Sequence, residues 1–279
     1  MNRRSFLTQS ALSLAAAGIG LAASGPLLAA NGQPAPIPAP RRSGSKPTVA
    51  FVVYPGLTPL DIIGPANALN TDAFNLEFIW RDRNPVEGEQ ANVRFMPTTT
   101  FREMKHADVI CITGTSNPYA LLHETEMLDW LNSAGHKADW VTSVCTGSVL
   151  LGAAGLLQGY RATTHWGMMD DLALFGAIPV DDRVVIDRNR MSGGGVTAGI
   201  DFGLTLRSIL LGQESAEMKQ LMMQYAPEPP FNSGTPQQAR PEVAAAAKQQ
   251  VLSGVTAQTP DWRQRLADSA ERMQHYPER

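Results

Sequence analysis

The chain has 279 residues, a formal net charge of −3 and 43% hydrophobic residues, which is enough for one sizeable core. The small negative charge, with no basic block beyond the first few residues, argues against nucleic-acid binding. Two cysteines are too few for a disulfide framework, and the cysteines and histidines do not have zinc-ligand spacing. We therefore expect a small-molecule partner, and neither a metal nor an organic cofactor.

The N-terminus has the pattern of an export signal. Arg3 and Arg4 precede a weakly apolar, alanine- and leucine-rich run that ends near Ala30, and no further charged residue occurs before Arg41. This arrangement is typical of a twin-arginine signal peptide over residues 1–30. Glycines, serines and a proline make the run a poor membrane span. The pattern predicts a periplasmic protein without stable membrane association after signal cleavage.

A proline-, glycine- and serine-rich linker is predicted over 31–47, and ordered structure is predicted from Thr48. Apolar runs then alternate with helical patterns. The pattern predicts strands over 48–54, 76–80, 109–113, 140–144 and 161–165, and helices over 60–70, 119–134, 146–157, 167–175 and 197–211. Hairpins are predicted around 93–97 and over 183–192. This alternation indicates an α/β fold with a mostly parallel sheet between helices.

The C-terminal region after residue 236 has two further helical patterns, over 242–252 and 261–275. Both are too short and too polar for an independent domain. We expect residues 237–279 to be a helical extension that packs on the main domain or braces a dimer.

Cys145 stands where the predicted strand over 140–144 gives way to a helix, among the small residues Ser143, Thr146 and Gly147. A thiol at such a turn faces the first backbone N–H groups of the helix, which favour the thiolate. The position therefore predicts a nucleophile with a depressed pKa. The alternatives are a buried structural cysteine and a disulfide with Cys111, whose position inside a strand disfavours disulfide geometry.

Asp61 is a lone carboxylate in an apolar stretch just after the first predicted strand. One interpretation is a helix N-cap or first-turn aspartate. However, the loops after the first strand and after the Cys145 strand can open on the same crevice of a doubly wound sheet. Asp61 would then lie near Cys145 with a raised pKa, and could act as an acid and a base near neutrality.

Three further residues are candidates for the same crevice. Gly114 and Thr115 follow the predicted strand over 109–113, so their backbone N–H groups could stabilise developing negative charge, although an ordinary turn explains them equally well. His165 closes the predicted strand over 161–165. It is either a base for Cys145 or a hydrogen-bonded structural histidine beside the site.

With these residues in place, the chain resembles the ThiJ/PfpI family, and within it the isonitrile hydratases, from Thr48 to Pro236. The most specific pieces are Cys-Thr-Gly-Ser at 145–148 and Ala-Thr-Thr-His-Trp at 162–166. The resemblance implies a flavodoxin-like three-layer sandwich and a homodimer. It also implies Cys145 as nucleophile, Asp61 as acid and base, and backbone N–H groups of Gly114 and Thr146 around the reacting atoms. Thr115 stands where the family often has a second glycine.

The resemblance implies hydration of an isonitrile to an N-substituted formamide. Two alternatives remain: glyoxalase-like chemistry on another small electrophile, and a non-enzymatic redox or stress protein in which Cys145 becomes a sulfinic acid. Regulators with an AraC-type domain share these motifs, but the stretch after Pro236 is too short for that domain. Peptidase-like members have a histidine directly after the cysteine, whereas this chain has Thr146.

Overall fold

The structure is a computed structural model that describes residues 46–90 and 92–276. The predicted export signal over 1–30, and all of the predicted linker except its last two residues, lie outside the described residues. Within the described ranges, none of the helices is both long enough and apolar enough to cross a membrane.

The core of the molecule is a seven-stranded sheet. In chain order the strands are β1 (Thr48–Val52), β2 (Asn75–Trp80), β3 (Val86–Glu87), β4 (Arg94–Phe95), β5 (Thr99–Thr100), β6 (Val109–Ile112), β7 (Trp140–Val144), β8 (Arg161–Ala162), β9 (Ile178–Pro179), β10 (Val184–Asp187) and β11 (Arg190–Gly193). The sheet has the order β10-β11-β7-β6-β1-β2-β5. All its pairs are parallel except β10–β11. The predicted mostly parallel sheet is confirmed.

Helices cover both faces of this sheet. They are α1 (Leu60–Leu69), α2 (Thr125–Gly135), α3 (Gly147–Ala153), α4 (Ala198–Leu211), α5 (Gln213–Met222), α6 (Pro241–Gln258) and α7 (Trp262–Met273), with 3-10 helices at Pro118–Leu121 and Trp166–Phe175. Alternate residues of β1 point to opposite faces, as the strand repeat requires. Val49 and Phe51 pack on the side of α1 and α4, whereas Ala50 and Val52 pack on the side of α2 and α3. This gives the predicted three-layer sandwich.

Several predicted boundaries were wrong where side chains from distant elements intervene. The helix predicted over 119–134 is split, and the carbonyls of Ala120 and Leu122 at the break accept hydrogen bonds from Arg265 and Arg272 of α7. The helix predicted over 146–157 ends as α3 at Ala153, and Gly155 follows with φ of +74°. The strand predicted over 161–165 keeps only two residues, because the Thr163 N–H bonds to the Ser192 hydroxyl at 2.8 Å.

The first helix of the C-terminal extension is longer than predicted. α6 continues to Gln258, whereas its helical pattern was predicted to stop at 252, before the poor helix former Gly254. α5 was not predicted. The extension packs on the main domain through α7, where the rings of Trp262 and Tyr119 have centroids 4.9 Å apart.

Candidate active site

Cys145 forms a strained turn between β7 and α3. Its φ is +58°, a left-handed conformation that non-glycine residues adopt at an energetic cost. Both of its backbone groups are held: the N–H donates to the Gly193 carbonyl at 2.9 Å, and the carbonyl accepts from the Thr164 hydroxyl at 2.9 Å. A Cβ on Gly147 would lie 2.4 Å from the Ile112 carbonyl oxygen, so only glycine lets α3 begin this close to β6. The turn therefore fixes the direction of the thiol.

Asp61 lies in the first turn of α1 and is fully buried. Its side chain does not cap the helix, whose N-cap residue is Pro59. Instead, Oδ2 accepts a hydrogen bond of 2.9 Å from the Gly114 N–H, and Oδ1 accepts none from any backbone or hydroxyl group of the described residues. A Cβ on Gly114 would lie 2.7 Å from Cβ of Cys145 and 2.8 Å from Oδ2 of Asp61. The structure therefore brings the predicted carboxyl and thiol side by side.

Burial controls the protonation of this pair. Burial raises the pKa of Asp61 to about 7, against the lowering effect of hydrogen bonds from Gly114 and the Cys145 thiol. Burial and the nearby Asp61 charge also raise the pKa of the Cys145 thiol, while the Thr146 N–H lowers it by less. The predicted depressed pKa of Cys145 was wrong, because a thiol that is only 4% exposed has lost most of its hydration. The two groups titrate together, so a proton is exchanged within the pair.

The backbone donors near Cys145 are mostly engaged. The Gly114 N–H is bonded to Asp61, so the prediction that it faces the substrate was wrong. The Thr115 N–H donates to the Thr146 hydroxyl at 2.8 Å, and that hydroxyl donates to the Thr115 carbonyl at 2.7 Å. This reciprocal pair of hydrogen bonds connects the loop after β6 to the turn that carries Cys145. Of the two predicted donors, Gly114 and Thr146, only the Thr146 N–H lies against the Cys145 sulfur.

His165 adopts the structural role among the two predicted for it. Its Nδ1 accepts a hydrogen bond of 3.2 Å from the Gly167 N–H and so caps the 3-10 helix Trp166–Phe175. The neutral ring must then carry its proton on Nε2, which makes that atom a donor. Burial lowers the pKa of His165, which favours this neutral form. His165 therefore borders the site without being free to act as a base through Nδ1.

The thiol opens into a cavity of about 450 Å³, within the size range of small-molecule sites. We call Cys145 and Thr146, which line this cavity, together with the adjacent Asp61 and Gly114, the floor of the site. One face of α6 also lines the cavity, and we call it the roof: Ala247, Gln250, Val251, Gly254, Val255 and Gln258. Thr115, His165, Met168 and Val196 are among the residues that line the cavity between them. The wall is mostly apolar, and suits a neutral organic ligand.

The roof and Glu89 are site residues that the sequence analysis missed. Glu89 lines the cavity, where its carboxylate accepts hydrogen bonds from the Thr58 hydroxyl at 2.9 Å and the Ser116 N–H at 3.1 Å. Its charge also raises the pKa of Asp61. Glu89 follows a two-residue strand in a polar stretch, so nothing in its local sequence marks it. The apolar spacing of α6 was the available signal for the roof.

The remaining predicted features concern cysteines and metals. Cys111 and Cys145 are both free, and Cys111 is buried inside β6, so the disulfide alternative is excluded in this structure. Within 46–90 and 92–276, no cluster of three or more histidine, cysteine or acidic side chains could hold a metal ion.

Comparison with known proteins shows which family this chain belongs to. Residues 47–208 match the model of the DJ-1/PfpI family. The chain belongs to this family. The helices α5, α6 and α7 follow the matched region, so the roof of this DJ-1/PfpI site comes from outside it.

Two relatives cover most of the chain. An isonitrile hydratase from Pseudomonas putida is 43% identical over 212 residues, which are 76% of this chain and 92% of that protein. The crystal structure of a THiJ/PfpI family protein from Pseudomonas syringae superposes with a TM-score of 0.74 at 38% identity, covering 81% of this chain and 91% of the other. A helix-turn-helix transcriptional regulator from Pseudomonas aeruginosa is 25% identical over 164 residues, which are 56% of this chain and 48% of the regulator.

Proposed function

We propose that this protein hydrates an isonitrile to an N-substituted formamide, with Cys145 as nucleophile and Asp61 as acid and base. The observation that carries the proposal is the buried carboxyl of Asp61 beside the thiol, at the floor of a mostly apolar cavity. The 43% identity to an isonitrile hydratase supports the choice of substrate class. An isonitrile is a neutral, compact electrophile, and this cavity offers it an apolar wall and a single nucleophile.

In the first step, the Cys145 proton passes to Asp61 as the sulfur bonds to the terminal isonitrile carbon. Asp61 then delivers that proton to the same carbon, and the product is a thioimidate in which carbon is bonded to sulfur, hydrogen and nitrogen. A carboxyl with a pKa of about 7 suits both halves of this transfer, because it accepts and releases a proton near neutrality. The thiolate exists only as the bond forms, since burial raises the thiol pKa.

In the second step, water adds to the thioimidate carbon. Asp61 removes one proton from the water, and the imidate nitrogen takes up a proton as the tetrahedral adduct forms. Collapse of the adduct breaks the carbon–sulfur bond, releases the formamide and returns a proton to the sulfur. The sum is one isonitrile plus one water giving one formamide. Covalent catalysis divides one difficult addition into two easier steps.

The floor supports these steps through two backbone donors. The Gly114 N–H fixes the Asp61 carboxylate through Oδ2 and leaves Oδ1 for proton transfer. The Thr146 N–H lies beside the sulfur and stabilises its developing charge. Each donor thus acts on a different member of the pair.

The test is turnover of cyclohexyl isonitrile by the purified protein, with the formamide quantified by NMR. We expect formamide to form with wild type and only at the uncatalysed rate with Cys145→Ala, while Cys111→Ala keeps wild-type turnover. Cys111 is the matched control because it is equally buried but lies in β6 away from the cavity lining. Absence of turnover by wild type, or undiminished turnover by Cys145→Ala, would contradict the proposal.

The sulfinic-acid alternative fits this site less well. Oxidation follows thiolate character and exposure, whereas the Cys145 thiol is 4% exposed and has a raised pKa. Mass spectrometry of the protein isolated from unstressed cells separates the hypotheses. We expect a reduced Cys145, and full oxidation at this residue would favour a redox role.

We also propose that the protein is a homodimer in the periplasm. Met218, Leu221 and Met222 of α5, together with Phe231, are large apolar side chains that are 58–81% exposed in the single chain. A second copy covering this surface would remove them from water. Light scattering on the purified protein should give twice the monomer mass.

Substituting Arg3 and Arg4 by lysine should keep the protein in the cytoplasm, and an unchanged distribution between cytoplasm and periplasm would contradict export by this signal.

A further inference from the structure

The roof places one helical face of α6 over the nucleophile. Its six residues are spaced at intervals of three and four along the chain, so they form a single stripe on the helix. Ala247, Val251, Gly254 and Val255 make the stripe mainly small and apolar. Cys145 lines the same cavity from the floor. A ligand that is bonded to the thiol and large enough to fill this cavity therefore contacts α6.

The roof is held at a set distance from the floor. The Asn117 side-chain N–H groups donate to Gln258 at 3.3 Å and to the Thr259 hydroxyl at 2.9 Å. Asn117 lies in the same loop as Thr115, whose backbone is bonded to Thr146. The C-terminal end of α6 is therefore attached to the loop that is bonded to Thr146.

Gly254 is an unexplained glycine in the middle of this roof. Glycine is the poorest helix former after proline, so its place inside α6 calls for a reason. Packing supplies one for other helix glycines: an added Cβ would lie 2.7 Å from Phe175 at Gly152 and 2.8 Å from Ala68 at Gly203. At Gly254, a Cβ would meet no atom within 4 Å. The space left by its missing side chain belongs to the cavity.

We propose that Gly254 sets the size of the substrate, by leaving room for a bulky apolar group on the isonitrile nitrogen. The inference rests on the proposed function for the identity of the reacting group. An isonitrile is linear at carbon and nitrogen, so a substituent projects away from the sulfur and toward the roof. Val251 and Met168 line the space it would enter. The preferred substrates are accordingly cycloalkyl and aryl isonitriles.

Gly254→Leu tests the proposal, with methyl isonitrile and cyclohexyl isonitrile as substrates of the full chain. The leucine fills the space at Gly254, so we expect kcat/KM for the cyclohexyl substrate to fall at least about tenfold. The methyl substrate does not reach the roof, and its kcat/KM should stay within about twofold of wild type. Gly254→Ala should give an intermediate loss with the cyclohexyl substrate.

Ala257→Leu is the matched control, since it adds a leucine to an exposed position of α6 outside the cavity. This control variant should have the same kcat/KM as wild type for both substrates. Equal losses for both substrates with Gly254→Leu, or no loss for either, would overturn the proposal. Thermal denaturation of each variant shows that the comparison is made between folded proteins.

A second measurement tests the size limit set by Gly254 separately from the proposed isonitrile hydration. If wild type hydrates neither isonitrile, the proposed function fails, and the size limit is tested by alkylation of Cys145 instead. Iodoacetamide and N-benzyl-iodoacetamide are compared by mass spectrometry of the Cys145 peptide. Slower modification of Gly254→Leu by the benzyl reagent alone supports the size limit. Equal effects on both reagents, or none, overturn it.

Discussion

The floor of the site is buried and tightly packed, whereas the roof is partly exposed and has open space beside it. Asp61, Cys145 and Thr146 are at most 4% exposed, and the glycines between them leave no space for a methyl group. The roof has partly exposed residues, a glycine with open space beside it, and a polar connection to the floor through Asn117. The floor belongs to the region matched by the family model, whereas the roof follows it.

Under the proposed function, this difference separates the residues that carry out the chemistry from the residues that select the substrate. Proton transfer between a thiol and a carboxyl requires fixed distances and a dry environment, which the buried floor supplies. Accommodation of an apolar group requires only volume, which the roof supplies. Changes in the floor should therefore affect every substrate, and changes in the roof should affect substrates according to their size.

The largest expected effect comes from Asp61→Asn. The amide keeps an acceptor for the Gly114 N–H, but it cannot exchange a proton with Cys145. We expect kcat to fall by about 10²–10⁴ with methyl and cyclohexyl isonitriles alike, the usual contribution of an acid–base group. The control is Asp171→Asn, which removes another partly buried carboxyl that accepts a hydrogen bond from Tyr119 outside the cavity. A loss confined to one substrate would contradict the distinction between floor and roof.

The same substitution should stabilise the protein at high pH. The pKa of Asp61 rises from 3.8 to about 7 on folding, so the folded state binds more protons than the unfolded state between these values. Wild type therefore loses stability as pH rises from about 4 to 7. The amide introduced by Asp61→Asn does not titrate. Between pH 4 and pH 8, the free energy of unfolding of the variant should therefore rise relative to that of wild type by up to about 4 kcal/mol, as measured by urea denaturation. A pH-independent difference would mean that the pKa of Asp61 is not raised.

Two glycine substitutions should change the free energy of unfolding in opposite directions. In Gly147→Ala the new Cβ meets the Ile112 carbonyl in the floor, and we expect a loss of about 1–3 kcal/mol in the free energy of unfolding. In Gly254→Ala the new Cβ meets open space, and we expect a gain of up to about 1 kcal/mol from helix propensity. Both changes in the free energy of unfolding can be measured by urea denaturation. Destabilisation by Gly254→Ala would indicate that the roof is as tightly packed as the floor.

The pH dependence of turnover should report the floor pair. The reactive form has one proton shared between Asp61 and Cys145, and it is depleted when Asp61 is protonated. Because the pKa of Asp61 is about 7, kcat/KM should rise about tenfold per pH unit below 7 and level off above it. The profile is measured with methyl isonitrile for wild type and for Gly254→Leu. Since the roof does not titrate, a shifted profile in Gly254→Leu would contradict the comparison.

The smallest expected effect is that of Asn117→Ala, which removes the hydrogen bonds to Gln258 and Thr259. A looser roof holds a bulky substrate less well, so KM for cyclohexyl isonitrile should rise about three- to tenfold with little change in kcat. Gln264→Ala removes an exposed hydrogen bond to Asp268 in α7 and serves as the control. A large fall in kcat with unchanged KM would mean that Asn117 supports the floor instead.

The parts of the fold that depend on local pattern could be predicted from the sequence. Strands buried on both faces, such as β6 and β7, read as continuous apolar runs, and their ends were predicted within a residue. Cys145 and Asp61 were identified because a thiol at a strand–helix turn and a carboxyl in an apolar stretch both lack a simple packing role. Their pairing followed from the rule that loops at the carboxyl ends of parallel strands share a crevice.

What the chain alone determined is the sheet, the cysteine at the strand–helix turn and the carboxyl predicted beside it, since these depend on hydrophobic periodicity and residue type. Tertiary structure decided the sign of the Cys145 pKa shift, because burial depends on every neighbour of the thiol. It also decided that Gly114 orients Asp61, that His165 caps a helix, and that α6 covers the cavity. These outcomes depend on how the elements pack around the thiol, which the patterns that predict single strands and helices do not specify.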